Sequence, residues 1–155
     1  YCKKVSSIFE FCLNNGLRKL EIPNTKSNKI RIVTSRSFFK PLEAKLINDI
    51  EVKFPVEIIH YGSTLKQVEM VLGNADMYLK AGPCSEWDTA PGQLMVEEFG
   101  GAVLQLHSFE TMVYNKSNLR NPYFVMLNKA LNNHDFIDFL KGIVKKYEAE
   151  MDKIT

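Results

Sequence analysis

The sequence predicts an α/β fold in which a mixed sheet of about five strands is flanked by helices. Three observations carry that expectation. Short β-branched runs alternate along the chain with amphipathic segments, Gly and Pro punctuate the joins between them, and no apolar run reaches membrane-spanning length. The 155 residues, 45% hydrophobic and 25% charged, suffice for one domain with a real core.

Residues 5–22 read two ways: Ile8-Phe9-Glu10-Phe11-Cys12-Leu13 fits strand or helix, and Asn14-Asn15-Gly16 reads as a turn. After a polar connector, Ile30-Arg31-Ile32-Val33-Thr34 alternates as a strand should. A helix follows, with Pro41 in its first turn and Leu42, Leu46, Ile47 and Ile50 on one face. Residues 54–61 form a second strand, broken at Gly62-Ser63. The next helix, residues 64–72, sets Leu65, Val68, Met70 and Leu72 on an apolar side and stops at Gly73. Residues 77–79 are a short strand, 89–99 a third helix ended by Gly100-Gly101, and 102–106 a further strand. Over residues 133–154 the repeat of Phe136, Leu140, Ile143, Val144, Tyr147 and Met151 predicts one long amphipathic helix.

A net charge of +2 is too small to point to nucleic acid or an anionic membrane surface, and no aromatic residues interleave with the scattered lysines. Cys2, Cys12 and Cys84 lack metal-like spacing and cannot all pair, which predicts a reduced, cytoplasmic setting. His60, His107 and His134 are far apart and are assigned to structure or solvent.

The segment from Tyr78 to Gly92 says most about chemistry. It sets Asp88 at the start of a helix directly after a strand, where a carboxylate can hold a metal while first-turn N–H groups face a bound anion. On spacing alone the commoner reading of Asp88 is a helix N-cap, and that of Trp87 is core filling. Gly62, Thr64 and Lys66 read as turn, cap and solvated charge on the same ordinary grounds.

The passage Glu86-Trp87-Asp88-Thr89-Ala90-Pro91-Gly92 with Gly100-Gly101 resembles the Trp-Asp-x-Ala-x-Gly … Gly-Gly signature of the inositol monophosphatase superfamily. Its spelling is closest to the CysQ-type 3'(2'),5'-bisphosphate nucleotidases. The similarity runs in family order over residues 29–125 and implies the C-terminal α/β lobe of that fold at 29–127. Residues 1–28 would then be a diverged hinge or linker remnant, and 128–155 a C-terminal amphipathic helix. By this resemblance Asp88 is a Mg²⁺ ligand beside the substrate. Gly62-Ser63-Thr64-Leu65-Lys66 is similar to the family's Gly-Ser-Ser-x-Lys segment, which makes Gly62, Ser63 and Lys66 substrate-binding residues. Lys80 stands where relatives carry Arg in Tyr-x-Arg-x-Gly-Pro, keeping the charge without the bidentate fork. Ser35-Arg36-Ser37 resembles a Ser-Arg-Ser-His turn with Phe38 in place of His, and adds Arg36 as a substrate contact. Pro91 replaces the usual Ala, in what the predicted boundary makes the first turn. Leu119-Arg120-Asn121-Pro122-Tyr123-Phe124-Val125 is similar to the family's Leu-x-Asn-Pro-x-Phe-Val ending and is expected to close the sheet.

The resemblance implies Mg²⁺-dependent hydrolysis of adenosine 3',5'-bisphosphate to AMP and phosphate, within sulfur metabolism. The family's Asp-Pro-x-Asp-Gly-Thr motif does not occur here, and Asp88 alone cannot supply the oxygens that Mg²⁺ requires. The chain is therefore expected to be the C-terminal part of a longer enzyme, inactive by itself. Its expected partners are the N-terminal lobe and a second copy, in the cytoplasm with peripheral association at the inner membrane. Two alternatives stand beside this: an inositol monophosphatase-like phosphatase, and a non-catalytic interaction module that has lost the metal-binding half. Lys66 and the Gly-Pro-x-Ser-Glu-Trp-Asp spelling favour the nucleotidase over the first.

Overall fold

Side chains that alternate between two apolar faces along each strand require a helical layer on both sides of the sheet. That is the architecture of the computed structural model, which describes residues 9–12, 16–21, 27–35 and 40–151. The ambiguous N-terminal segment is a hairpin of β1 (Phe9–Cys12) and β2 (Gly16–Lys19), antiparallel and apart from the main sheet. The main sheet holds β3 (Ile30–Ser35), β4 (Val56–Tyr61), β5 (Met77–Lys80), β6 (Ala102–Gln105) and β7 (Phe124–Leu127), in the order β4-β3-β5-β7-β6. β3 pairs parallel with β4 and β5, whereas β7 runs antiparallel to β5 and β6, so the sheet is mixed as predicted. β7 is the last strand of the sheet in chain order, as expected of the segment ending at Val125, and it lies in the interior of the sheet between β5 and β6.

One face carries Ile32, Met77, Leu79, Val125 and Leu127, all at most 2% exposed. It is covered by α1 (Pro41–Glu51) and α4 (His134–Lys145), which present Leu42, Leu46, Ile47 and Ile50 and then Phe136, Leu140, Ile143 and Val144. The other face, with Val33, Tyr78, Val103, Phe124 and Met126, meets Met70 and Val71 of α2 (Leu65–Val71) and Val96 of α3 (Glu86–Glu98). Tyr78 and Phe124 meet edge to face there, ring centroids 5.4 Å apart.

Four expectations are corrected. α2 buries Lys66, Gln67, Met70 and Val71, while Leu65 is 54% exposed; the side facing the sheet is rotated from the one the apolar residues mark. α3 begins at Glu86, three residues earlier than predicted, so Pro91 lies in the second turn and removes the N–H that would bond the Trp87 carbonyl. Trp87 is 66% exposed rather than core. The C-terminal helix is broken: bonds of the i→i+3 kind at Lys146 and Tyr147 tighten the chain before a short α5 (Glu148–Met151). There Lys146 and the Tyr147 hydroxyl reach Asp49, and Lys45 reaches Glu150, which ties the bend to α1. No helix among the described residues is long and apolar enough to cross a membrane.

Candidate functional site

β3 and β5 are parallel neighbours whose onward connections leave to opposite faces of the sheet, β3 to α1 and β5 to α3. Chain that diverges in this way opens a crevice beyond the carboxyl ends of the strands, and ligands of α/β proteins favour such switch points. Lys80 ends β5 there, Lys40 precedes the first turn of α1, and Ser85 precedes that of α3. The Gly62–Ser63–Thr64 turn joins β4 to α2 at the same end.

The first turn of α3 is fastened from several sides. Asp88 is not the N-cap; Ser85 is, and Asp88 Oδ2 reaches back to accept the Ser85 N–H at 3.1 Å, one half of a capping box. The Asp88 carboxylate remains exposed. Asn121 donates to the Ser85 carbonyl at 2.7 Å and to Thr89 Oγ1 at 2.8 Å, and the Asn121 N–H binds the Cys84 carbonyl. Glu86 is buried and accepts from the Asn115 N–H, the Lys116 N–H and Lys116 Nζ at 2.6, 3.1 and 2.5 Å. Residues 113–121 are thereby strapped across the start of α3. Burial pushes the Cys84 thiol up, so it is a poor nucleophile at neutral pH.

Lys116 holds the Glu86 carboxyl below its ordinary value of 4.5, helped by the two backbone donors. A carboxyl depressed in the folded state stabilises above its unfolded value and loses that contribution as the pH falls through the folded one. Glu86→Gln will therefore lower the melting temperature at pH 7, and the gap to the unmodified chain will narrow as the pH falls below 4.5. Thermal melts at pH 3 to 7 measure it; a gap constant with pH would show that the Glu86 charge is not what fastens the strap.

Among the predicted residues, Ser63, Lys66, Lys80 and Asp88 share this end of the sheet. Lys66 is 4% exposed; its Nζ donates to the Ser63 carbonyl at 2.7 Å and stands 5.2 Å from the centre of the Tyr78 ring. Burial pushes the Lys66 ammonium down and the Lys80 charge adds to this, while Cys84, Glu43 and Asp88 oppose it. Ser63 has φ +47, a left-handed conformation for a residue with a side chain, held by that lysine bond. Gly62 lies in the same turn in open space, and a Cβ there would meet nothing within 4 Å. Arg36 lies outside the described residues.

Sequence reasoning missed Glu43 and Gln67, and gave Asn121 only a place in the segment expected to close the sheet, not its bonds to the start of α3. Glu43, 1% exposed, joins two loops of the crevice by accepting the Lys40 N–H at 3.2 Å and the Ala81 N–H at 2.9 Å. Gln67 donates to the Asp88 carbonyl and packs where a side chain at Gly92 would otherwise stand, its Oε1 1.5 Å from that Cβ position. The Gly in Trp-Asp-x-Ala-x-Gly was the signal for that close approach. Among the described residues no three His, Cys, Asp or Glu side chains gather as a metal set.

Residues 12–134 match the profile of the inositol monophosphatase family. A curated 3'(2'),5'-bisphosphate nucleotidase CysQ from Haemophilus influenzae is 40% identical over 76 residues, 48% of this chain and 28% of that protein. The crystal structure of CysQ from Bacteroides thetaiotaomicron superposes with a TM-score of 0.67 at 31% identity, over 76% of this chain and 43% of the other. Inositol monophosphatase II from Staphylococcus aureus gives 0.64 at 16% identity, over 95% and 54%, a likeness of fold alone. The chain thus spans about half the length, or less, of the relatives it matches.

Proposed function

The chain belongs to the inositol monophosphatase family, and from that premise we propose that it is the phosphate-binding lobe of a 3'(2'),5'-bisphosphate nucleotidase acting on adenosine 3',5'-bisphosphate. One observation carries the reading. An exposed Asp88 opens α3 at the switch point, next to two buried lysines, Lys66 and Lys80, that no carboxylate among the described residues pairs. Buried cations without a carboxylate partner suit a ligand that brings its own negative charge, and a doubly phosphorylated nucleotide brings more than an inositol monophosphate.

In this reading Lys66 and Lys80 bind and orient the phosphates. Gln67 and Asn121 hold the backbone on either side of Asp88, so that its carboxylate keeps one position. When bound, magnesium would activate water and neutralise the leaving oxygen. Asp88 suits it as one oxygen ligand, but Glu43 has both its oxygens engaged and no further carboxylate set is present among the described residues. The described residues therefore do not make a magnesium site by themselves. The remaining ligands, on this proposal, come from outside them.

Phosphate release from adenosine 3',5'-bisphosphate with Mg²⁺, measured for this chain and for one extended upstream, tests the proposal. Asp88→Asn is expected to lower kcat/KM by more than about 100-fold, since residues that merely support metal ligands already cost 10- to 100-fold. Release from inositol 1-phosphate in preference to the nucleotide would overturn the substrate, and no release from either by either chain would overturn the enzyme.

A further inference from the structure

We propose that Lys40 is a substrate-binding residue, closing with Lys80 over Gly82 to clasp a phosphate dianion. The inference rests on the nucleotidase reading for the identity of the ligand, but its geometry is independent of it. Lys40 leads into α1 on one face of the sheet, and Lys80 ends β5 before the chain crosses to α3 on the other. The point where a Cβ would stand at Gly82 is 3.4 Å from Lys40 Cγ, 3.5 Å from Lys40 Cε and 3.4 Å from Lys80 Nζ. Two lysines of separate loops thus converge on the position of a residue that has no side chain.

Their backbones are held together from below. Glu43 binds the N–H of Lys40 with one oxygen and that of Ala81 with the other, fixing the spacing of the two loops. Both Glu43 oxygens have backbone donors, and Oδ2 of Asp88 is engaged by the Ser85 N–H. Among the described residues neither Lys40 nor Lys80 has a carboxylate within ion-pair reach. Lys66 is close enough to feel the Lys80 charge, and the methylene stem of Lys40 lies against the same Gly82 position that Lys80 Nζ reaches. Converging cations without counter-charge are what an anion stabilises. A phosphate dianion can accept from two lysines approaching on different sides, so the pair replaces with two point charges the fork that a single Arg would offer.

Lys40 bonds within the fold through its backbone, its N–H to Glu43 and its carbonyl to the Ala44 N–H, so its side chain can be removed without opening the Glu43 bridge. Calorimetric titration of the whole chain with adenosine 3',5'-bisphosphate should show Lys40→Ala binding about tenfold more weakly, with Lys40→Arg keeping most of the affinity and all three melting alike. Amine-reactive labelling read by mass spectrometry supplies a second measurement. The nucleotide and inorganic pyrophosphate should each slow modification of Lys40, leaving exposed Lys129 and Lys141 unchanged. If Lys40 is modified at the same rate with and without either ligand, the clasp is overturned; a loss of nucleotide binding in Lys66→Ala would still uphold the substrate. If pyrophosphate protects Lys40 and the nucleotide does not bind, the clasp stands and the nucleotidase reading falls.

Discussion

Gly101→Ala will destabilise the chain by about 3 kcal/mol, enough to lower its melting temperature by about 10 °C. A Cβ on Gly101 would lie 2.3 Å from the Leu127 carbonyl, 2.7 Å from Val96 Cγ1 and 3.0 Å from the Val96 carbonyl. Two of those neighbours are backbone, and one belongs to β7, which is locked between β5 and β6 and cannot retreat without breaking ladder bonds. α3 would have to lift from the sheet instead. Gly142→Ala is the internal control. It lies within α4 with nothing inside 4 Å of its added carbon, so the change should stabilise by up to about 1 kcal/mol through helix propensity. Equal stability of Gly101→Ala and the unmodified chain, by denaturant titration, would mean that α3 does not approach β7 this closely.

Asp76→Ala should cost about as much, roughly 3 kcal/mol, through a different mechanism. Asp76 Oδ2 accepts from the Arg31 N–H and from Nε, both at 2.9 Å; Oδ1 accepts from Arg31 Nη2 at 2.7 Å and Asn128 Nδ2 at 2.8 Å. The two charged side chains are only 16% and 10% exposed, so removing the carboxylate strands a guanidinium in a poorly hydrated place. The same carboxylate links β3 to the segment after β7, at the end of the sheet opposite the candidate site. Removing both charges, as in Arg31→Met with Asp76→Leu, should restore much of the loss, because an apolar pair leaves no uncompensated charge. A double-mutant cycle reads the coupling; a value below about 0.5 kcal/mol would place the pair with ordinary surface salt bridges.

Where hydrophobicity and burial coincide, the sequence was a sufficient guide. Leu42, Leu46, Ile47 and Ile50 mark one helical face and bury it, and Ile30 to Thr34 form the strand their alternation predicts. The reading failed where a polar residue took a buried place for a local reason. Lys66 and Gln67 occupy the inward face of α2 because one reaches the Ser63 carbonyl and the other the Asp88 carbonyl, partners that only the folded chain brings near. Trp87 failed in the opposite sense: the helix start turns it outward although its size suggests core. The Asp88 motif was visible because it is local. The bond from Glu43 to an N–H 38 residues later was not, nor was the bond from Asn121, quoted only within a sheet-closing segment, to a carbonyl 36 residues earlier, because no periodicity links positions so far apart.

The interior place of β7 bears on how the chain is made. Synthesis proceeds from the N-terminus, so β3, β4 and β5 can assemble early, whereas the strand that joins them to β6 is the last of the sheet to emerge. Until residue 127 has left the ribosome, β5 and β6 each present an unpaired edge, and the apolar faces that Phe124 to Leu127 will occupy are open. Unpaired edges of this kind recruit other strands. The nascent chain should thus depend on chaperone occupancy most strongly in the interval between completion of β6 and arrival of β7.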